Sequence, residues 1–180
     1  RGLAKPPSNF GKSTPIPVHA ELLDWLAVEL VENGGRLKHI HRLMLTSTAY
    51  RQSSGRRAKL TQADPENSLH GRMLLRRMDA EQLYDSLLKV TERVSSETFG
   101  PPAHVRLNED NEVVVKATGN SFRRSIYVLQ RRTSRVTLMD AYDLPHMTPN
   151  CLERRESTVS TQALHMMNGE PVWNHAKHLA

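Results

Sequence analysis

The stretch that decides the fold runs from residue 79 to residue 116 and reads DAEQLYDSLLKVTERVSSETFGPPAHVRLNEDNEVVVK. Its first part places apolar residues at the spacing of an amphipathic helix, and Asp79 with Gln82 is typical of a capping box. A glycine and two prolines then end the helical pattern. Beyond them, β-branched segments flank the polar tetrapeptide 108–111, which is typical of a hairpin. The stretch therefore predicts a helix over residues 80–95, followed by a small antiparallel sheet.

Two further helices are predicted before this stretch. Leucines and a tryptophan give residues 20–32 a wide apolar stripe, and the glycines after Asn33 would end that helix. Residues 37–52 form the second helix, and the short turn between the two predicts an antiparallel helical hairpin. Residues 53–66 are polar and basic and predict an exposed loop, followed by a short helix near residues 68–77.

The C-terminal part predicts one more strand and two more helices. Residues 125–131 are rich in apolar and aromatic side chains, which favours a third strand. Residues 161–168 predict a helix that Gly169 would end in the left-handed conformation, and Pro171 suits the first turn of a last helix. The predicted fold class is therefore mainly α: a helical, bundle-like core with a small inserted antiparallel β-sheet, an α+β arrangement.

The domain organisation follows from length and from the order of these elements. The 180 residues fit a single domain, and the opening without a methionine or a signal peptide indicates a fragment of a larger multidomain protein. Within residues 1–180 the prediction distinguishes an extended arm (1–17), a helical part (18–99), a small sheet (103–131) and a helical C-terminal part (132–180).

The charge balance favours acidic partners. Lys plus Arg is 25 and Asp plus Glu is 19, which gives a net charge of +6. Such a surface suits nucleic acid, a sulfated glycan or an acidic protein. Aromatic residues are only 5% of the chain, too sparse for base-stacking platforms, which argues against nucleic acid. No apolar run approaches the ~20 residues that cross a bilayer, so no transmembrane segment is expected.

Motifs for catalysis or metal binding are missing. The single cysteine, Cys151, excludes CxxC-type metal and haem sites, and no serine-nucleophile motif is present. His39 and His41 would point about 200° apart on a helix, so they cannot bind one ion. His41 falls on the apolar face and is predicted to be a buried, structural histidine. Asp140 and Asp143 resemble a glycosidase pair only by their spacing, which recurs by chance. No metal is expected, and the catalytic residues remain unknown.

Arginines in adjacent pairs are the most distinctive feature of the sequence. A guanidinium group can bind carboxylate, sulfate or phosphate through two parallel hydrogen bonds. One interpretation is an anion-binding cleft, for which the candidates are Arg76, Arg123, Arg124 and Arg131. The other is that the paired arginines bind acidic side chains and tie helices to the sheet, with Glu81, Asp85, Glu153 and Glu156 as their partners.

Several ordered blocks of the chain resemble a known family. They include His19-Ala-Glu-Leu-Leu-Asp-Trp-Leu26, Asp64-Pro-Glu-Asn67, Arg123-Arg-Ser-Ile-Tyr-Val128 and Cys151-Leu-Glu-Arg-Arg-Glu-Ser-Thr158. In order and spacing they resemble the domain of unknown function near the C-terminus of large planctomycete proteins that often also carry a c-type cytochrome domain. The resemblance implies an exported, multidomain parent in the periplasm or cell envelope. Any haem would lie in another domain, and no cofactor is expected in this segment.

The predicted function is that of an accessory module in such a cytochrome-associated protein. Interdomain docking and recognition of an acidic glycan are the two forms it would take, with neighbouring domains of the parent chain or an acidic glycan as partners. Two alternatives stay open: an enzyme acting on acidic polysaccharide, and a sequence-independent binder of polyanions or nucleic acid. The residues do not decide whether the protein is an enzyme.

Overall fold

The fold is seen in a computed structural model, which describes residues 2–4, 12, 14–146, 151, 154 and 156–179. Most of the extended arm predicted for residues 1–17 lies outside these residues. The chain divides into two compact units, Arg1–Arg76 and Arg77–Ala180. Helices predominate, and the described residues contain one two-stranded antiparallel sheet. The predicted class, mainly α with a small antiparallel sheet, is confirmed.

The first unit begins with the predicted helical hairpin. Helix α1 spans Ala20–Glu32, helix α2 spans Leu37–Thr46, and the two pack against each other. Gly34 and Gly35 connect them with φ angles of 66° and 72°, a conformation that residues with a Cβ rarely adopt. The hairpin is therefore confirmed, with α1 at its predicted bounds.

Helix α2 is shorter than predicted because its C-terminal hydroxyl groups compete with the helical pattern. The prediction carried it to residue 52, but it ends at Thr46. The Thr46 hydroxyl donates to the Arg42 carbonyl at 2.8 Å, and the Ser47 hydroxyl donates to the Met44 carbonyl at 2.7 Å. Such side chains offer the backbone an alternative to continuing a helix.

Two predictions for the rest of the first unit are wrong. A short helix, α3, spans Ala58–Ala63 within the segment predicted as a loop. No helix forms over residues 68–77. The reason lies just before it, where Asn67 adopts φ 56° and its side chain bonds both backbone groups of Arg72, at 2.8 and 3.1 Å. His70 also has a positive φ, 53°, which is incompatible with a helix.

The second unit begins with helix α4, Ala80–Val90, whose predicted start is confirmed. The Gln82 side chain accepts the backbone N–H of Asp79 at 3.2 Å, as a capping box requires. The helix ends earlier than predicted, because the Thr91 hydroxyl bonds back to the last turn at 2.8 Å and Glu92 adopts φ 56°.

The hydrophobic core of the described residues lies in the second unit. Helix α4 packs against a short helix, α5 (Thr137–Ala141), which the sequence analysis missed. Leu88 and Met139, one from each helix, are fully buried. Other buried apolar residues surround them: Ala80, Tyr84, Val115, Val128, Val136, Leu138, Tyr142 and Leu144. The core thus joins segments that are far apart in the sequence.

The predicted hairpin is confirmed. Strand β1 spans Val105–Leu107 and strand β2 spans Val113–Val115, paired antiparallel with Val105 opposite Val115. The Asn108 side chain accepts a backbone N–H across the turn at 2.7 Å, which closes the polar tip. The side chain of Asn108 is therefore part of the turn rather than exposed.

The third strand predicted for residues 125–131 is wrong. A 3₁₀ turn occupies Ser125–Tyr127, and beyond it Val128 forms an isolated bridge with Ala103. The Asp85 carboxylate accepts the backbone N–H of Ser125 at 2.7 Å, so that group cannot pair with a strand. A side chain from α4 thus decides the backbone conformation of this segment.

Two helices, α6 (Ser160–Asn168) and α7 (Glu170–Ala176), complete the second unit as predicted, with Pro171 in the first turn of α7. Gly169 connects them, but its φ is −65° rather than left-handed, so that prediction is wrong. A Cβ at this position would lie 2.6 Å from the carbonyl oxygen of His165. Space, rather than backbone conformation, requires a glycine here.

We therefore expect Gly169→Ala to lower the free energy of unfolding by about 1–3 kcal/mol, because the added methyl group must displace the backbone of α6. Urea unfolding followed by circular dichroism measures this change. Gly55→Ala is the matched control: its Cβ would meet only the Ser53 hydroxyl oxygen, at 3.4 Å, and we expect a change within about 0.5 kcal/mol. Equal losses in the two variants would contradict the steric explanation.

Candidate functional site

Arg123, a predicted anion ligand, lies in the interior of the second unit and is 6% exposed. Its guanidinium group donates to the carbonyl oxygens of Phe99 and Pro101 and lies 4.4 Å from the centroid of the Tyr127 ring. These contacts hold the turn that precedes β1. An anion would have to displace both carbonyl groups to bind here.

Two other arginines pair with acids of α4. Arg124 Nε lies 3.0 Å from a carboxylate oxygen of Asp85, and Arg154 binds both carboxylate oxygens of Glu81, at 2.6 and 2.8 Å. The hydrogen bond between Arg154 and Glu81 lowers the pKa of the acid and raises the pKa of the arginine. These contacts are those expected if the arginines tie structural elements together.

The remaining arginine candidates, Arg76 and Arg131, have exposed side chains. Arg76 belongs to the first unit, whereas the other three candidates belong to the second. Glu153, one of the predicted acidic partners, lies outside the described residues. Anion binding by these arginines stays a prediction.

The prediction that His41 is buried is wrong, because its side chain is exposed. Its neighbour His39 is the half-buried histidine, and its Nε2 lies 3.0 Å from a carboxylate oxygen of Glu29 on α1. Residues two apart point to nearly opposite sides of a helix. His39 therefore connects α2 to α1, whereas His41 lies on the opposite side of α2.

Asp140 and Asp143 hold local structure. Asp140 pairs with Arg135 at 2.8 Å. Asp143 accepts the backbone N–H of Ser157 at 2.7 Å and a guanidinium N–H of Arg77 at 2.7 Å. The Ser157 N–H, followed by the hydrogen bonds from Arg77 and the Ser157 hydroxyl, lowers the pKa of Asp143 despite partial burial. These contacts describe a structural carboxylate rather than an acid poised to donate a proton.

The second unit contains a cleft of 380 Å³, a volume typical of a site for a small molecule. Helices α4, α5 and α7 and both strands contribute to its walls. The walls are largely apolar, and the side chains responsible are Val113, Val115, Phe122, Val136, Leu138 and Pro171.

Two buried polar atoms in the lining residues of this cleft have no hydrogen-bond partner among the described residues. They are the hydroxyl group of Tyr84, a residue 5% exposed, and one carboxylate oxygen of Glu112. Burial, with the nearby Asp85, raises the pKa of Tyr84. The other carboxylate oxygen of Glu112 lies 3.4 Å from Nδ1 of His165. Buried polar groups are normally paired, so these two atoms distinguish the cleft from the rest of the core.

One wall of the cleft is formed by Arg93, Phe122 and His175. The Arg93 guanidinium lies 4.7 Å from the centroid of the Phe122 ring, and the His175 ring approaches the same ring at 5.1 Å. His175 is 4% exposed, and its Nδ1 lies 3.5 Å from Nη1 of Arg93. Burial, followed by the charge of Arg93, lowers the pKa of His175 to about 4, so the imidazole is neutral at neutral pH.

The first unit presents a different feature, an exposed apolar surface on α1. Trp25, Val28 and Val31 are 48%, 51% and 78% exposed, and we call them the α1 surface. The half-buried apolar residues of the same helix lie on its other side: Leu23, Leu26 and Leu30. Helix α1 therefore carries apolar side chains on two sides, and those on the exposed side lie among the acids Glu21, Asp24 and Glu32.

Comparison with known proteins identifies the family. Residues 1–180 match the family described as PSD1: Protein of unknown function (DUF1553). The chain belongs to this family. Membership agrees with the domain of unknown function that the sequence blocks resemble. No curated protein and no solved structure matches the chain significantly.

Neither a metal site nor a membrane span is found in the described part of this PSD1-family chain. No three His, Cys, Asp or Glu residues within those ranges are placed to hold a metal ion. None of the described helices combines the length and apolar character needed to cross a membrane.

Sequence reasoning missed the cleft of this PSD1-family chain, because its polar residues come from separate elements. The apolar spacing of residues 80–95 places Tyr84 on the buried side of a helix, and no pattern in the sequence distinguishes Glu112 or His175. A tyrosine on the apolar face of a predicted helix is the one local signal, since its hydroxyl group needs a partner when buried.

Proposed function

We propose that this PSD1-family chain is an accessory module that docks onto a neighbouring domain of a larger parent protein. The α1 surface carries the proposal, because Trp25, Val28 and Val31 are exposed on a helix whose other side is already apolar. Neighbouring exposed apolar side chains are typical of a surface that binds another protein. Docking would stabilise the assembly, since complete burial of a large apolar side chain contributes about 1.5–3 kcal/mol.

The charges on α1 indicate what the partner surface contains. The only charged residues of the helix are acids, and three of these acids are exposed: Glu21, Asp24 and Glu32. Complementary potentials favour association and suppress wrong partners. The partner surface in this proposal is therefore an apolar patch with lysine or arginine at its rim.

The resemblance found in the sequence supplies the parent in this proposal. It is an exported planctomycete protein with a c-type cytochrome domain, and that domain would hold the haem. Docking is preferred over acidic-glycan recognition because two of the four candidate arginines, Arg123 and Arg124, already pair within the second unit.

Hydrogen–deuterium exchange of the α1 peptides tests docking. We expect these amides to exchange at least about tenfold more slowly in the full parent protein than in the 180-residue chain alone, because burial of α1 suppresses local opening. The double variant Trp25→Ser, Val28→Ser in the parent should restore fast exchange in α1. Mass spectrometry of peptic fragments measures both effects.

Ile126→Ser is the matched control for this test. Ile126 is 75% exposed and lies in the second unit, so its replacement removes exposed apolar surface without changing α1. We expect the control to leave α1 protection unchanged. Equal exchange of α1 in the parent and in the separate chain would refute docking, as would a stable dimer of the separate chain that protects α1.

A further inference from the structure

The cleft of the second unit carries an inference that is independent of docking by α1. The Tyr84 hydroxyl group and one carboxylate oxygen of Glu112 are buried without partners among the described residues, and both residues line the cleft. An unsatisfied buried polar group costs about 1–3 kcal/mol. A hydroxyl group on a ligand suits both kinds of atom, because it can donate to a carboxylate oxygen and accept from a tyrosine hydroxyl group.

The cationic residues of the cleft outnumber its available carboxylates. Arg93, Arg106 and Lys177 line it, and no described carboxylate forms an ion pair with any of the three. The Arg93 guanidinium already donates to the carbonyl oxygens of Asn120 and Asn174, at 3.2 and 3.3 Å, which leaves Arg106 and Lys177 for an anionic group.

Glu112 and Glu170 are the carboxylates of the lining, so its cations outnumber its acids by three to two. Glu170 keeps its charge while its oxygens accept from the Asn108 amide at 2.5 Å and from Asn174 at 3.1 Å. The cleft therefore has positive charge to offer an anionic group.

The apolar walls of the cleft indicate the chemistry of the ligand body, the part that connects the anionic group to the hydroxyl group. Valine, leucine, phenylalanine and proline side chains line the space, so an occupant that is polar on all sides would lose hydrogen bonds to water without replacement. We propose that the cleft binds a small carboxylic acid with an apolar or aromatic body and a hydroxyl group. The hydroxyl group would meet Tyr84 and Glu112, and the carboxylate would meet Arg106 and Lys177.

Binding of 4-hydroxybenzoate to the 180-residue chain tests this assignment by ligand-observed NMR. We expect saturable binding that weakens about tenfold for benzoate, which lacks the hydroxyl group, and for 4-hydroxybenzyl alcohol, which lacks the carboxylate. Glucuronate tests a polar body with the same two groups, and it should bind more weakly than 4-hydroxybenzoate.

Tyr84→Phe is the decisive variant. It should weaken 4-hydroxybenzoate binding about tenfold while the melting temperature stays equal or rises, because it removes an unsatisfied buried hydroxyl group. Tyr142→Phe is the matched control: Tyr142 is also buried, but its hydroxyl group donates to the Gln162 carbonyl at 3.3 Å. The control should lower the melting temperature and leave binding unchanged.

Several results would overturn the assignment. Absence of 4-hydroxybenzoate binding at millimolar concentration is one, and equal affinity for benzoate is another. Tighter binding of glucuronate would show that the cleft selects a sugar acid rather than an apolar body. Unchanged affinity in Tyr84→Phe would show that the ligand binds elsewhere.

Discussion

Asp143→Asn is expected to lower the free energy of unfolding by about 2–3 kcal/mol. Asp143 binds the Ser157 N–H at 2.7 Å, the Ser157 hydroxyl at 2.9 Å and Arg77 at 2.7 Å. The amide keeps the shape of the side chain but replaces one acceptor oxygen with a donor and removes the charge that balances Arg77. Both partners of this ion pair are about three-quarters buried, at 26% and 21% side-chain exposure, so water compensates little. Urea unfolding at neutral pH measures the loss.

Asp140→Asn is the control for that variant. Asp140 lies one helical turn earlier and also pairs with an arginine, but its side chain is 50% exposed. Exposed ion pairs contribute little, so the change should stay within about 1 kcal/mol. Equal losses in the two variants would show that the contacts of Asp143 with Ser157 and Arg77 add no stability beyond that of an ordinary surface pair.

Asp143 also shows why spacing alone could not assign its role. The sequence places Asp140 and Asp143 three residues apart. This spacing is compatible with a catalytic pair, but it is equally common on the exposed side of an ordinary helix. What decides the role of Asp143 is Ser157, which lies on a later segment and approaches through tertiary folding. Asp143 also has φ 61°, which places it outside the preceding helix.

The fold was predictable where local interactions determine it. Helix α1 ends at two glycines with positive φ, and α4 begins at a capping box. A few neighbouring residues in the sequence are enough to predict each of these signals. The β1–β2 hairpin is also local, since its strands are joined by a short polar turn. All three elements were predicted correctly in kind, α1 and the hairpin close to their bounds and α4 at its start but not at its end.

Two of the wrong predictions have the same physical cause, a side chain that forms hydrogen bonds with backbone groups. Asn67 binds Arg72 where a helix was predicted, and Asp85 binds the N–H of Ser125 where a strand was predicted. Apolar periodicity carries no information about either contact, because it records which side chains prefer burial. Asp85 is forty residues from Ser125, so even a careful local analysis would not find it.

The candidate cleft could not be predicted for a related reason. Its polar atoms belong to Tyr84, Glu112 and His175, which the chain brings together from α4, the hairpin and α7. The arginine pairs, in contrast, were visible in the sequence, but their orientation was not. Arg123 faces the interior and Arg131 is exposed, although nothing in the neighbouring residues distinguishes them.

Acidification is expected to destabilise the second unit between pH 6.5 and 4 through His175. Burial and Arg93 lower the pKa of His175 from 6.5 to about 4 in the folded protein, and His178 acts in the same direction. In the unfolded chain His175 therefore binds a proton as the pH falls through 6.5, whereas in the folded protein it does so only near pH 4. Above pH 6.5 the titration of His175 costs no stability. Between pH 7.5 and pH 5 it should lower the free energy of unfolding by about 2 kcal/mol.

Urea unfolding in a Trp25→Phe background measures this fall, since Trp173 on α7 then reports on the helix that carries His175. His175→Gln removes the titrating group, so its stability should change much less over the same pH range, whatever its value at pH 7.5. His70→Gln is the control: the pKa of His70 is also lowered, first by burial and then by His19, but it lies in the first unit. That variant should keep the full fall, because the free energy reported by Trp173 depends on α7. An equal pH dependence in the Trp25→Phe protein with and without His175→Gln would show that folding does not lower the pKa of His175.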